Sequence, residues 1–346
     1  MNALKLLLVA GAATAAACQA APPAPPSAPQ LIERTRQTMG AELELSAWTA
    51  SEATAVSAFD EVFAEFDRLD NLLSVWRPAS DVRRLNEAAG VAPVTVSRDT
   101  IDVLLAAREA GDLTEGKFDI TFGALSDLWR FDHDQDNRIP DPAAVRARLP
   151  LINYRAVHVD ARAGTAFIEK RGMRVHLGGI GKGYAVDRAA AILRARALPD
   201  FMIRAGGDLY VGGQHGDRPW RVAIRDPRGP ANAIFAALDL SDGTFSTSGD
   251  YERSFMHNGR RYHHLLDPDL GEPARGCRSV TIVTGRAILA DALSTGVFVL
   301  GPDRGMALIE RLEGVEGVIV TDANVVLVSS GLKGRVNLLT PPTDAP

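Results

Sequence analysis

Asp291 and Thr295 stand four residues apart in the stretch "LADALSTG". On a helix that spacing puts a carboxylate and a hydroxyl on one face. Such a pair supplies half of an oxygen shell for Mg²⁺, whose other positions a backbone carbonyl, water and a substrate phosphate can fill. A helix with one satisfied, buried aspartate would read the same way. A second stretch, "HLGGIGKGYAVD" from His176 to Asp187, crowds four glycines and Lys182 ahead of an alanine-rich run. Glycine lets a backbone close on a phosphate, and a helix start presents free N–H groups. Neither familiar nucleotide fingerprint fits, because Gly183 follows Lys182 where a Walker loop has Ser or Thr, and the dinucleotide spacing differs. An anion cradle and a plain strand-to-helix turn are both compatible with the loop.

Two further segments carry reactive side chains. His263 and His264 are adjacent, so in a strand they point to opposite faces and at most one enters a given site. A histidine there could act as a general base near neutral pH. In "GKFDIT", Asp119 follows Phe118, a pairing that could grip a planar ring and its polar edge or merely hold a turn.

The elements that must position these groups are mixed. Val56, Phe59, Val62, Phe63, Phe66 and Leu69 recur at helical steps between about Thr49 and Leu73, predicting an amphipathic helix. Helices are also expected over about Arg98–Glu115, from Gly183 to about Ala197, over Ala287–Leu300 and over Pro302–Leu312, with a short one after Ser80. "RAVHVD", "TAFIEK", "MRVHLG", "DFMIRAGGDLYVGG", "WRVAIRDP" and "SVTIVTG" pattern as strands. "SFMHNGRRYH" reads as a hairpin on an Asn-Gly turn, and "GVIVTDANVVLVSSGL" as a closing hairpin. Strands and helices do not alternate steadily, which favours α+β over a doubly wound parallel sheet.

The chain opens as an exported protein. "MNALKLLLVAGAATAAAC" has one positive charge, a short apolar run and small residues ending at Cys18, the layout of a signal peptide over 1–18 with a lipidation site. Residues 19–33 read as a Pro-rich tether, and 34–340 as a single catalytic domain. The expectation is a protein on the periplasmic side of a bacterial membrane, lipid-anchored through Cys18. With a net charge of −5 and no basic block, nucleic acid is not an expected partner. Cys277 is the remaining cysteine, so neither a disulfide framework nor a zinc spacing is present.

Taken in order, the segments "MGAELEL", "SVWRPASDVRRLN", "GKFDITFGAL", "HLGGIGKGYAVD", "RAGGDLYVGG", "STSGDYERSF", "YHHLLDPDLGEP" and "ADALSTGVFVLG" resemble the ApbE family, the bacterial FAD:protein FMN transferases, from about Gln37 to Val320. The resemblance implies a T-fold-like α+β architecture of mixed sheets with packed helices, in two intimately associated lobes. It implies FAD as substrate, Mg²⁺ as cofactor, and an acceptor flavoprotein with a Ser/Thr flavinylation motif as partner. By position, Met39, Trp76, Lys117, Phe118, Asp119, His176, Lys182 and Leu265 would contact FAD. Gly179, through its carbonyl, would bind the metal with Asp291 and Thr295. His264 would lie at the reaction centre as the base. The implied chemistry is attack by a Ser/Thr hydroxyl on the FMN-side phosphorus, with AMP leaving. Hydrolysis of FAD to FMN and AMP would use the same groups, and a non-catalytic FAD-binding lipoprotein is a further alternative. Four positions depart from the family pattern: Ala41 for Thr, Ala124 for Pro, Leu270 for Thr and, most consequentially, His176 for the aspartate that opens the glycine loop.

Overall fold

The structure, a computed structural model, describes residues 28–345. Cys18, the leader and most of the tether lie outside the described residues. Eight strands form one antiparallel sheet in which each strand lies beside its predecessor: Gln30–Thr38, Ala41–Thr49, Phe201–Ala205, Asp208–Gly212, Gly243–Gly249, Cys277–Thr284, Glu316–Thr321 and Val326–Val328. Every neighbouring pair runs antiparallel. The helices enter as insertions between sheet neighbours, the α+β arrangement expected from the sequence.

Helices α1 (Glu52–Leu73), α2 (Asp81–Glu87), α3 (Arg98–Leu113) and α4 (Pro142–Arg148) precede the glycine loop; α5 (Gly181–Ala195), α6 (Ala287–Leu300) and α7 (Pro302–Arg311) follow its start. The face of α1 that carries Phe59, Val62, Phe66 and Leu69 is buried, and the Ser51 hydroxyl caps its start by accepting the Thr54 N–H. With α5 and α6 it covers one face of the sheet. The other face is covered by the hairpin Trp220–Arg225/Ile234–Leu240 with Asn337–Leu338 added at its edge. The period of two shows on Asp208–Gly212: Tyr210 joins the helix-side core, whereas Leu209 and Val211 join the hairpin side. Apolar on nearly all sides, α6 is buried from Ala287 to Val299 with few exceptions.

Three elements differ from the sequence pattern. The last four residues of the expected tether belong to the strand Gln30–Thr38, paired along its length with Ala41–Thr49. "MRVHLG" forms only an isolated bridge between Arg174 and Phe122 rather than a strand. The Asn86 side chain takes the place of a neighbouring strand there, accepting from the Val175 N–H at 2.7 Å and donating to its carbonyl at 2.9 Å. Helix α4 has no strong apolar period, but Asp141 and Pro142 mark its start, with Asp141 accepting the Ala143 N–H.

Candidate active site

The loop that begins at His176 and helix α6 meet at a contact only glycine permits. A Cβ on Gly183 would stand 2.3 Å from the Ala287 carbonyl oxygen and 2.7 Å from Asp291 Cβ. The Gly183 N–H instead donates to Asp291 Oδ2 at 2.9 Å. Farther along, Asp187 accepts from the Ala287 N–H at 2.8 Å and the Ile288 N–H at 2.9 Å, filling the cap that Arg286 does not supply. Gly183, which disqualifies the Walker reading, is thus the residue that lets α5 and α6 touch. Gly179 passes close to Thr295: a Cβ there would lie 3.4 Å from its hydroxyl. Gly179, Asp291 and Thr295 are therefore gathered at one end of a cleft.

The charges at this end are buried and few. Lys182 Nζ lies 3.1 Å from Asp208 Oδ2 and 4.0 Å from Asp291 Oδ2. Burial opposes the lysine's charge, but the two carboxylates outweigh it and hold its pKa above the ordinary value. Burial, reinforced by Asp208, pushes the Asp291 carboxyl up to about 7, against the pull of Lys182 and the Gly183 N–H. Two buried carboxylates facing a single lysine leave negative charge that a cation would relieve. Among the described residues no cluster of three or more His, Cys, Asp or Glu side chains could hold a metal. An ion here would need the hydroxyl of Thr295 and backbone or substrate oxygens beside Asp291, a donor set that fits a hard cation. Ser248 keeps the Thr295 hydroxyl in place, with Oγ 3.1 Å from Thr295 Oγ1 and 2.8 Å from Ser294 Oγ.

The opposite end of the cleft is aromatic. Trp76, Phe122, Trp129 and Phe131 line it, Trp76 being half exposed and edge-on to His133. Leu265 lines the cleft as a buried side chain, and so does Phe118, which lies toward the charged end with Cε2 3.4 Å from where a Cβ on Gly179 would stand. Lys117 spends its ammonium on Asp267 at 2.7 Å and Asp269 at 2.8 Å, tying the 117–119 segment to the 267–269 turn. Asp119 spends its carboxylate on its own turn and on the 154–156 segment: Oδ1 accepts from the Thr121 N–H and hydroxyl, and Oδ2 from the Tyr154 N–H. Met39 occupies the turn between the first two strands at φ 47° and packs on the helix-side core, while its neighbours Gly40 and Ala41 line the cleft. His176 lines the cleft beside Phe122, and its Nδ1 accepts the Gly178 N–H at 3.1 Å.

The two histidines go to different surroundings, although the strand Arg260–His263 ends at the first and His264 lies just past it. His263 is buried against Phe298, with Nε2 3.1 Å from the Ala274 carbonyl. His264 lines the cleft; its Nδ1 is buried without a partner. Burial, then the positive charge of Arg253, holds His264 well below the ordinary histidine value, so its ring is neutral near pH 7.

Four residues of the site carry no mark in the sequence reading. Asp208 accepts from Ser246 at 2.5 Å and pairs with Lys182. Ser246, Ser248 and Arg253 complete the wall. The signal for Asp208 was the pair of glycines before it: Gly206 turns at φ 62°, and a Cβ on Gly207 would lie 2.6 Å from the Thr247 carbonyl oxygen.

A cleft with buried carboxylates and a lysine at one end and aromatic rings at the other defines an α+β protein suited to an aromatic phosphate ester. The chain belongs to the ApbE family, whose sequence pattern matches residues 39–319. It is 33% identical to a FAD:protein FMN transferase of Klebsiella pneumoniae over 302 residues, 87% of this chain and 92% of that one. It is 34% identical to the FAD:protein FMN transferase of Treponema pallidum, with 82% of each chain covered. The crystal structure of the ApbE protein from Thermotoga maritima superposes with a TM-score of 0.82 at 31% identity, covering 88% of this chain and 99% of that one. The flavin transferase ApbE from Vibrio cholerae superposes with a TM-score of 0.80 at 26% identity, covering 89% and 99%.

Proposed function

We propose that this protein transfers FMN from FAD to a serine or threonine hydroxyl of an acceptor protein and releases AMP. The observation that carries the reading is the Asp208–Lys182–Asp291 cluster, buried at one end of a cleft whose other end is aromatic. Membership of a family whose relatives are named for this transfer supports it.

The aromatic end would take a ring of FAD and the charged end its pyrophosphate. The acceptor oxygen bonds to the FMN-side phosphorus, the bond from that phosphorus to the bridging oxygen breaks, and AMP departs with the electron pair. His264, neutral and in the cleft, would take the hydroxyl proton at Nε2, since its Nδ1 is sealed inside. Lys182 and the loop N–H groups add positive potential where the phosphates would lie. Asp291, Thr295 and the Gly179 carbonyl would hold Mg²⁺, which when bound neutralises pyrophosphate charge. Positioning dominates such a reaction, and Gly183 and Asp187 fix the relative placement of loop and helix.

Purified protein incubated with FAD and Mg²⁺, with and without an acceptor carrying a Ser/Thr flavinylation site, tests this. AMP release that needs the acceptor supports transfer. AMP release at the same rate without acceptor would make the protein a FAD hydrolase, and bound FAD without turnover a flavin carrier. The leader adds a placement: lipidation at Cys18 would tether the domain to the periplasmic side of a membrane. Fatty-acid labelling of the full chain, lost in Cys18→Ala, checks it.

A further inference from the structure

The turn that joins Gly243–Gly249 to Ser254–His257 is gripped from outside the cleft. Asp250 Oδ1 and Oδ2 accept from Arg228 Nη1 and Nη2, each at 2.7 Å. Arg225 lies over the Tyr251 ring, 4.7 Å from its centroid, and 3.6 Å from the Glu252 carboxylate. Three consecutive residues of the turn are held by two arginines that belong to the hairpin layer. The pairing of that hairpin slips register between Ile224 and Arg225, and such a slip re-aims the strand end. Just beyond it Asp226 closes a tight turn, Oδ1 accepting the Arg228 N–H at 2.9 Å and the Gly229 N–H at 3.0 Å. Its Oδ2 accepts the Thr343 hydroxyl at 2.6 Å. The Arg228 backbone is therefore fixed before its side chain meets Asp250.

The ion pair is a costly way to hold a fold. The side chains of Arg228 and Asp250 are 8% and 9% exposed, and Arg228 Nε is buried with no hydrogen-bond partner among the described residues. Two apolar side chains of similar volume would serve stability as well. A bidentate fork fixes what apolar packing does not, the direction of the carboxylate. On either side of Asp250 stand groups that the reaction uses. Two residues before it, Ser248 holds the Thr295 hydroxyl at 3.1 Å. Three residues after it, the Arg253 carbonyl accepts the His264 N–H at 3.1 Å, and the Arg253 guanidinium pairs with Asp132 at 2.5 Å.

We propose that Arg228 is a positioning residue for FMN transfer: through Asp250 it fixes the 250–253 turn and so sets His264 against the Asp291–Thr295 end of the cleft. The proposal rests on the reading of the cleft as the site of that transfer. Neither Arg228 nor Asp250 lines the cleft, so neither touches a bound substrate there. The aromatic rings and the glycine loop that line it are carried by other segments. The effect of the pair therefore belongs to turnover at saturation rather than to FAD affinity.

Two variants separate position from stability. Arg228→Lys keeps the charges paired and loses the fork. Arg228→Met combined with Asp250→Leu removes both charges together, so that neither is left buried and alone. The readouts are turnover with saturating FAD, Mg²⁺ and acceptor, FAD affinity by flavin fluorescence, and hydrogen exchange at the His264 amide. We expect both variants to melt cooperatively and to bind FAD within about threefold of the unaltered protein. Turnover should fall about tenfold in Arg228→Lys and about a hundredfold in the double variant, with the His264 amide exchanging faster in the same order. Unchanged turnover in the double variant overturns the proposal, as does FAD affinity that falls as far as turnover. A His264 amide as slow as in the unaltered protein overturns it too. Should the double variant not fold, Arg228→Lys decides: full turnover overturns the proposal, and a tenfold loss at unchanged FAD affinity upholds it. An unaltered protein that transfers no FMN would instead remove the functional reading beneath it.

Discussion

The two ends of the cleft are built on opposite principles. At the charged end, position is set by backbone. Gly183 allows α5 and α6 to touch, Asp187 caps α6 through two N–H groups, and Asp291 receives the Gly183 N–H. At the aromatic end, position is set by side chains on a loop and a hairpin: Trp129 stacks on Phe131, Phe131 on Phe255, and Phe255 on Tyr262 of the Asn258-Gly259 hairpin. The charged end has no slack, because its contacts are hydrogen bonds and atoms already in van der Waals touch. The aromatic end is held mainly by ring stacking, with one hydrogen bond from Trp129 Nε1 to the Gly271 carbonyl at 2.8 Å, and is expected to adjust more readily around a bound ring. Reaction geometry should therefore be sensitive to changes in the first, and ligand affinity to changes in the second.

The largest expected effect is at the charged end. Asp291→Ala should lower transfer on the order of 10³-fold, read as AMP released per minute with acceptor and Mg²⁺. Its melting temperature should change little, because relief of the repulsion between two buried carboxylates offsets the Gly183 N–H left without its acceptor. A melting point several degrees lower would show Asp291 to be a structural residue. Gly183→Ala comes next: the added methyl must push α5 from α6, costing about 1–3 kcal/mol in urea unfolding and most of the activity with it. Retained activity in that variant would break the claim that this end has no slack.

His263 sharpens the comparison from behind the cleft. Burial holds it at about 4 against an unfolded value of 6.5, so between these values the unfolded chain binds the proton that the folded one refuses. Its contribution is complete above pH 6.5 and is lost as pH falls toward 4. The unaltered protein should lose about 2 kcal/mol more than His263→Gln between pH 7 and pH 5, measured by urea unfolding. Parallel pH curves would place the proton elsewhere. The smallest effect belongs to the aromatic end. Trp76→Ala, half exposed in the folded chain, should weaken FAD binding about tenfold or less and leave stability within about 0.5 kcal/mol. Loss of turnover at saturating FAD would instead put Trp76 in the reaction geometry.

How much of this was written in the sequence differs between the ends in the same way. Asp291 and Thr295 were legible because a helix converts four-residue spacing into a shared face, and α6 is a helix. The divergence of His263 and His264 was only partly legible, because the strand Arg260–His263 ends at the first of them and His264 lies just past it. Asp208 was marked only by the two glycines before it, and its role was not legible, since that comes from the pairing of Asp208–Gly212 with Gly243–Gly249, which brings Ser246 alongside across 38 positions. Asp119 was ambiguous between ring grip and turn, and its three hydrogen bonds now assign the carboxylate to the turn. His176 stood out as a departure in a familiar loop, but only its contact with Gly178 shows how an imidazole serves there. Local periodicity reveals faces; it does not reveal which distant strand will lie next door.

The most direct test follows the acceptor itself. Intact-mass analysis after incubation with FAD and Mg²⁺ should show a gain of one FMN less one water, with one AMP released per adduct. Asp291→Ala, folded as judged by circular dichroism and a cooperative melt, should give neither. Adduct formation at the full rate in that variant, or AMP without adduct in the unaltered protein, would contradict the account of the cleft as the site of FMN transfer.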